Sequence, residues 1–132
     1  MKNYLFLGLL FLFLSCSSGG SVDRTMYTVN FTVTATSGTT LNKIEYRDGT
    51  GTLKELTNVS SPWTISLQIR AGLGLEAAAY GDVPHQESLT ITAVWTPEGG
   101  TSQSESQTLP NDTPNSIINN GRVEISGRTL PD

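Results

Sequence analysis

From Tyr27 onward the chain alternates: Tyr27, Val29, Phe31, Val33 and Ala35 occupy every second position, with Thr28, Asn30, Thr32 and Thr34 between them. Successive side chains of a β-strand point to opposite faces, so this spacing predicts a strand buried on one side and wet on the other. The pattern returns along the chain. Ile44 and Tyr46 alternate with Lys43, Glu45 and Arg47, and Trp63, Ile65, Leu67 and Ile69 follow Pro62 at every second residue. Leu73, Leu75, Ala77 and Ala79 form a further apolar face, then Leu89, Ile91, Ala93 and Trp95. A helix over 73–80 is conceivable, but Gly72, Gly74 and Gly81 count against it.

Turn chemistry separates these runs. Asp48, Gly49, Thr50 and Gly51 predict a hairpin leading to a partner strand over 52–56, because Asp-Gly and glycine tolerate the positive φ of tight turns. Thr96 to Gly100 predicts a second hairpin with a polar partner strand over 101–108. Residues 111–115 and 119–121 are turn-rich, and Val123 to Ile125 offers a short closing strand. Seven or eight antiparallel strands with turns about every ten residues fit an all-β, immunoglobulin-like β-sandwich over 27–132, with an open barrel as the structural rival.

Such a domain has no disulfide to rely on. The only cysteine, Cys16, precedes it, so an apolar core must hold the strands, and 36% hydrophobic residues suffice when they are patterned this efficiently. Lys2 followed by the apolar run over 4–14 has the parts of a signal peptide, residues 1–15, and is too short to span a bilayer. Ser15 before Cys16 resembles a lipobox, which implies cleavage before Cys16 and lipid attachment to it. Phe13 and Leu14 depart from the commonest form of that motif. Each buried methylene contributes about 0.8 kcal/mol, so several acyl chains on one cysteine tether firmly. Residues 16–26 then read as the lipidated cysteine and a flexible linker, since Ser17, Ser18, Gly19, Gly20 and Ser21 neither pack nor favour a helix. By resemblance to lipoprotein sorting signals, Ser17, which is not the aspartate that retains enteric lipoproteins in the inner membrane, implies a location in the bacterial envelope, at the periplasmic face of the outer membrane.

Charge narrows the partners. Eight Lys and Arg against 12 Asp and Glu give a net −4, with no basic patch to replace the counterions of phosphates, so nucleic acid is not expected. No cofactor or metal is expected either. His85 is the only histidine and lies in a Pro84-His85-Gln86 loop without a second imidazole, which reads as an exposed loop residue rather than a catalytic base. Asp48, Asp82 and Asp112 read as turn aspartates that bond their own backbone, and Asn111-Asp112 lacks the spacing of a calcium loop. Trp63 and Trp95 stand in phase with inward aliphatics and read as core. Tyr80 is out of phase with Leu75, Ala77 and Ala79, which makes it the candidate ligand contact.

Ile44, Glu45, Tyr46, Arg47, Asp48 and Gly49, followed by Val59, Ser60, Ser61, Pro62, Trp63 and Thr64, resemble the extracytoplasmic domain of the MmpS family. The resemblance extends over roughly 27–106, with 75–80 as its Ala-rich strand and 89–95 as its Ile-rich strand. It implies an immunoglobulin-like sandwich serving as accessory to a membrane lipid exporter of the resistance-nodulation-division type. Members usually carry an uncleaved transmembrane helix and a pair of domain cysteines, and this chain has a lipoprotein leader and neither cysteine. The expected function is therefore a membrane-anchored, non-catalytic envelope lipoprotein with a protein partner. A glycan- or lipid-binding module and a pilus or adhesive subunit are the alternatives.

Overall fold

The computed structural model describes residues 24–132. The leader, Cys16 and most of the linker lie outside these residues. Eight strands follow in chain order: β1 (Met26–Ala35), β2 (Thr40–Arg47), β3 (Leu53–Thr57), β4 (Trp63–Arg70), β5 (Gly74–Pro84), β6 (Ser88–Pro97), β7 (Gln103–Pro110) and β8 (Ile117–Thr129). They form two four-stranded antiparallel sheets, β4-β1-β6-β7 and β3-β2-β5-β8, packed face to face as a sandwich. Two sheets, and not a closed barrel, answer the choice that periodicity left open.

In an immunoglobulin-like sandwich strand B lies between A and E, and strand F lies between C and G. Here β1 and β4 stand as B and E, while β3, β2, β5 and β8 stand as C′, C, F and G. The departure is the β6–β7 hairpin. It crosses from β5 to the opposite sheet, takes the place of A beside β1, and returns the chain as β8.

The alternating positions meet in the core. Val29, Phe31 and Val33 of β1, Ile91, Ala93 and Trp95 of β6, and Ile44, Leu75, Ala77, Ala79 and Ile125 of the facing sheet are buried. Large faces small along the ladders: Phe31 pairs with Ala93, and Ala77 lies between Tyr46 and Ile125. Each fully buried large apolar side chain contributes about 1.5–3 kcal/mol, so this interior carries the domain without a covalent tie. On the β7–β8 side Arg128 closes the sandwich, bonding Glu105 at 2.9 Å and lying 5.5 Å over the Trp95 ring. The Tyr27 hydroxyl donates to the Pro131 carbonyl at 3.0 Å and fastens the C-terminus.

One expectation is corrected. Residues 119–121 form no turn, because they continue β8, which runs 13 residues where sequence showed a short strand at 123–125. Asn120 has φ +47°, and the ladder absorbs it because Asp82 Oδ1 accepts the Asn120 N–H at 2.6 Å, beside a register shift between Gly81 and Val83. Gly81, which counted against a helix, lies inside β5. A Cβ there would stand 2.5 Å from the Thr40 carbonyl oxygen, so only glycine permits the approach of β2.

Gly81→Ala is expected to cost about 1–3 kcal/mol by overpacking. Gly74→Ala, whose Cβ meets nothing closer than 3.9 Å, is expected to change stability by less than ~0.5 kcal/mol. Paired urea titrations measure the difference, and equal midpoints would refute the account.

Candidate functional site

Tyr80 points outward from β5, as its phase predicted, onto the solvent face of the β3-β2-β5-β8 sheet. Register places Lys43 of β2 and Arg122 of β8 on either side of it. The Lys43 Nζ lies 4.4 Å from the ring centroid and the Arg122 guanidinium 5.8 Å, so the electron-rich ring is flanked by two cations and half-buried. Its hydroxyl donates to Glu45 Oε2 at 2.9 Å.

Glu45 is the hub of this row. Its Oε1 accepts from Lys43 Nζ at 2.8 Å, and the two side chains share a face because they are two residues apart on one strand. The Lys43 hydrogen bond, then that of Tyr80, holds the Glu45 carboxyl below its usual range, and the same bond raises the Lys43 ammonium. Glu55 stands directly opposite Glu45, an unfavourable pairing that Lys43 relieves at 3.7 Å. Arg122 pairs with Glu124, and Arg47 with Glu76.

Ala78 is the next outward position on β5, and its small side chain leaves a depression of about 240 Å³ beside Tyr80. Glu45, Glu76, Arg122, Glu124, Ser126 and Leu53 line it, and Leu53 is 50% exposed. Small-molecule pockets usually enclose ~300–1,000 Å³, so this one suits a single side chain of a partner better than a whole ligand. Its carboxylates accept hydrogen bonds and its Leu53 wall offers apolar contact.

The opposite outer face differs in kind. Thr28, Thr32, Thr90, Thr92 and Thr96 cover it with hydroxyls that pair across strands, Thr90 with Thr108 at 2.9 Å and Thr92 with Ser106 at 2.9 Å. Both tryptophans belong elsewhere: Trp95 is 3% exposed, and Trp63, half-buried, lies 5.6 Å from Tyr46 with tilted rings. No pair of exposed tryptophans forms a platform among the described residues.

His85 follows β5 in a turn closed by the Glu87 N–H donating to the Pro84 carbonyl. The ring is half-buried rather than exposed, and its enclosed Nδ1 finds no partner among the described residues. Among those residues no three His, Cys, Asp or Glu side chains converge to hold a metal. Asp82 lies within β5, where its Oδ1 accepts from Asn42 and from Asn120, so it steadies two irregular strands. Asn111 is buried and satisfied, its amide donating to the Val83 and Ser116 carbonyls.

Sequence phase turned Tyr80 outward and gave no sign of which residues would neighbour it. Lys43, Glu45 and Arg47 were visible as outward charges, as were Arg122 and Glu124, but only the register of three strands brings them around one ring. No protein-family model, curated protein or solved structure matches this chain. The resemblance to the MmpS domain therefore stands on the residues quoted for it.

Asp48 does cap its turn. Its Oδ1 accepts the Thr50 hydroxyl at 2.6 Å, the Thr50 N–H at 2.9 Å and the Thr52 N–H at 3.1 Å. These bonds, the Thr50 hydroxyl first, lower its pKa from 3.8 to about 2. A lowered folded pKa contributes stability that is complete above the unfolded value and fades as pH falls through the folded one. Asp48→Asn is therefore expected to be less stable than the parent at pH 7. The gap should close between pH ~4 and ~2, as followed by thermal melts across that range.

Proposed function

We propose that this chain is a membrane-anchored, non-catalytic lipoprotein of the bacterial envelope, tethered through Cys16, whose sandwich binds another envelope protein through the face around Tyr80. The observation that carries the reading is the depression over Ala78. It has side-chain size, carboxylates and an arginine at its rim, and an exposed leucine at its wall. Aromatic residues and arginine are enriched at protein interfaces, and here Arg122 lines the depression while Tyr80 stands two residues along β5 from Ala78. A lipid exporter is the partner class that the MmpS resemblance implies.

A photo-crosslinking residue at Ser126, at the rim, tests the reading in cells. The expected result is one discrete protein adduct that disappears when Tyr80→Ala is added. An adduct indifferent to Tyr80→Ala, or none beyond that of a probe at Thr92 on the other sheet, would count against this face. The anchor is tested separately. Radiolabelled fatty acid is expected to enter the parent and not Cys16→Ala, and equal labelling would remove the tether.

A second reading has its own support. The uncharged hydroxyl face of β1, β6 and β7 matches the hydrogen-bonding chemistry of a neutral glycan. Retention on envelope polysaccharide that is lost in Thr32→Val with Thr92→Val would favour it over the Tyr80 face.

A further inference from the structure

Seven lysines and arginines lie among the described residues: Arg24, Lys43, Arg47, Lys54, Arg70, Arg122 and Arg128. Five of them have a carboxylate within 4.0 Å. Among the described residues the other two, Arg24 and Arg70, have none, and they line the same cleft with Gly49, Thr50 and Leu73. The cleft encloses about 470 Å³. Both arginines are exposed on one cleft, so an anion seated there would meet two guanidinium groups, and arginine forks fit phosphate oxygens two at a time.

Position adds a second argument. β1 begins at this pole, since Met26 pairs with Arg70, so the chain arrives here from Cys16. Eight residue steps from Cys16 to Arg24 span no more than ~28 Å, which keeps the pole within reach of the surface that holds the anchor. The opposite pole carries Asp82, Glu87 and Asp112 and, among the described residues, no lysine or arginine. This pole also carries Asp48, Glu98 and Asp132, but with a net charge of −4 the molecule has no general attraction to an anionic surface, and of the two poles only this one offers arginines to it among the described residues.

We infer that the Arg24–Arg70 cleft binds the phosphate of an anionic phospholipid headgroup in the membrane that carries the anchor, and so fixes how the domain stands on that membrane. The inference rests on the reading of Cys16 as a lipid anchor, but its test does not. Gly72 serves the site, because with φ +83° it turns the chain beneath Arg24, whose Nη1 would lie 3.4 Å from a Cβ there. Glu98 belongs to a neighbouring cleft on the β6–β7 turn and does not line this one.

The experiment uses the unlipidated chain from Ser17. All buried core residues lie between Tyr27 and Leu130, so it keeps the whole domain. Co-sedimentation is measured with phosphatidylglycerol–phosphatidylethanolamine vesicles and with phosphatidylcholine vesicles. Binding is expected to the first and not the second, weakened about fivefold by Arg24→Gln or Arg70→Gln and about thirtyfold by both. Ser37→Glu with Ser60→Glu lowers the net charge by the same two units at the far pole and is expected to bind as the parent does. Circular dichroism confirms that each variant is folded. The inference is overturned if the double arginine variant binds like the parent, if the far-pole variant is weakened equally, or if the parent ignores phosphatidylglycerol. Inorganic phosphate that shifts the arginine side-chain resonances without any vesicle binding would overturn the lipid as the source. Fatty-acid labelling of Cys16 and vesicle binding by this chain are separate readouts, so the anchor and the cleft can fail independently.

Discussion

Two sheets pressed together mainly by apolar contact set the terms for everything else in this domain. No described residue is a cysteine, so nothing covalent corrects a strand that slips by one residue, and such a slip would turn a whole buried face to water. Register is therefore held by shape. Ala93 leaves room for Phe31 across one ladder, Ala77 lies between Tyr46 and Ile125 across the other, and Gly81 lets the Thr40 carbonyl come closer than any side chain would permit. The candidate site inherits that precision. Tyr80 meets Lys43 and Arg122 only in the register that these inward residues enforce.

The inward face was legible because burial follows period two, and Val29, Phe31, Val33, Ile91, Ala93 and Trp95 are all where alternation placed them. Legibility ended where the period breaks. Between Leu41 and Lys43 the β2–β5 ladder shifts register, so Leu41 and Ile44 are both buried although three residues apart, and the start of β2 was hidden. Asn119, Asn120 and Gly121 carry every local mark of a turn. They extend β8 because Asp82, 38 residues away, bonds the left-handed Asn120, a partnership no local pattern announces. The site was half-legible for the same reason: phase turned Tyr80 outward, whereas its companions come from β2 and β8.

Glycine shows how one residue type serves unlike needs. The Asp48–Gly51 turn suggested positive φ at both glycines, yet only Gly51 has it, at +81°. Gly49 is needed for space, since any Cβ there would press into the Gln68 carbonyl of β4. That contact brings the β2–β3 turn over the free edge of β4, whose residues 63–69 carry no charge to discourage pairing with another chain. The same turn supplies Gly49 and Thr50 to the arginine cleft, so one short loop covers an edge and builds a wall.

Charge is distributed with equal economy. On the β2, β5 and β8 face each cation is spent on a carboxylate, which leaves a surface of balanced sign whose specificity would come from pattern and from the depression over Ala78. The facing sheet presents hydroxyls paired with hydroxyls. Only the pole at which the chain enters keeps arginines without a carboxylate partner among the described residues. The proposed tether at Cys16 would by itself set no orientation for the domain. A second contact at Arg24 and Arg70 would remove that freedom and hold the long axis of the sandwich upright, so that the Tyr80 face looks sideways along the membrane. On the proposed reading a membrane-bound partner would have its greatest effective concentration there, and a side-chain-sized pocket with modest intrinsic affinity would be enough to hold it.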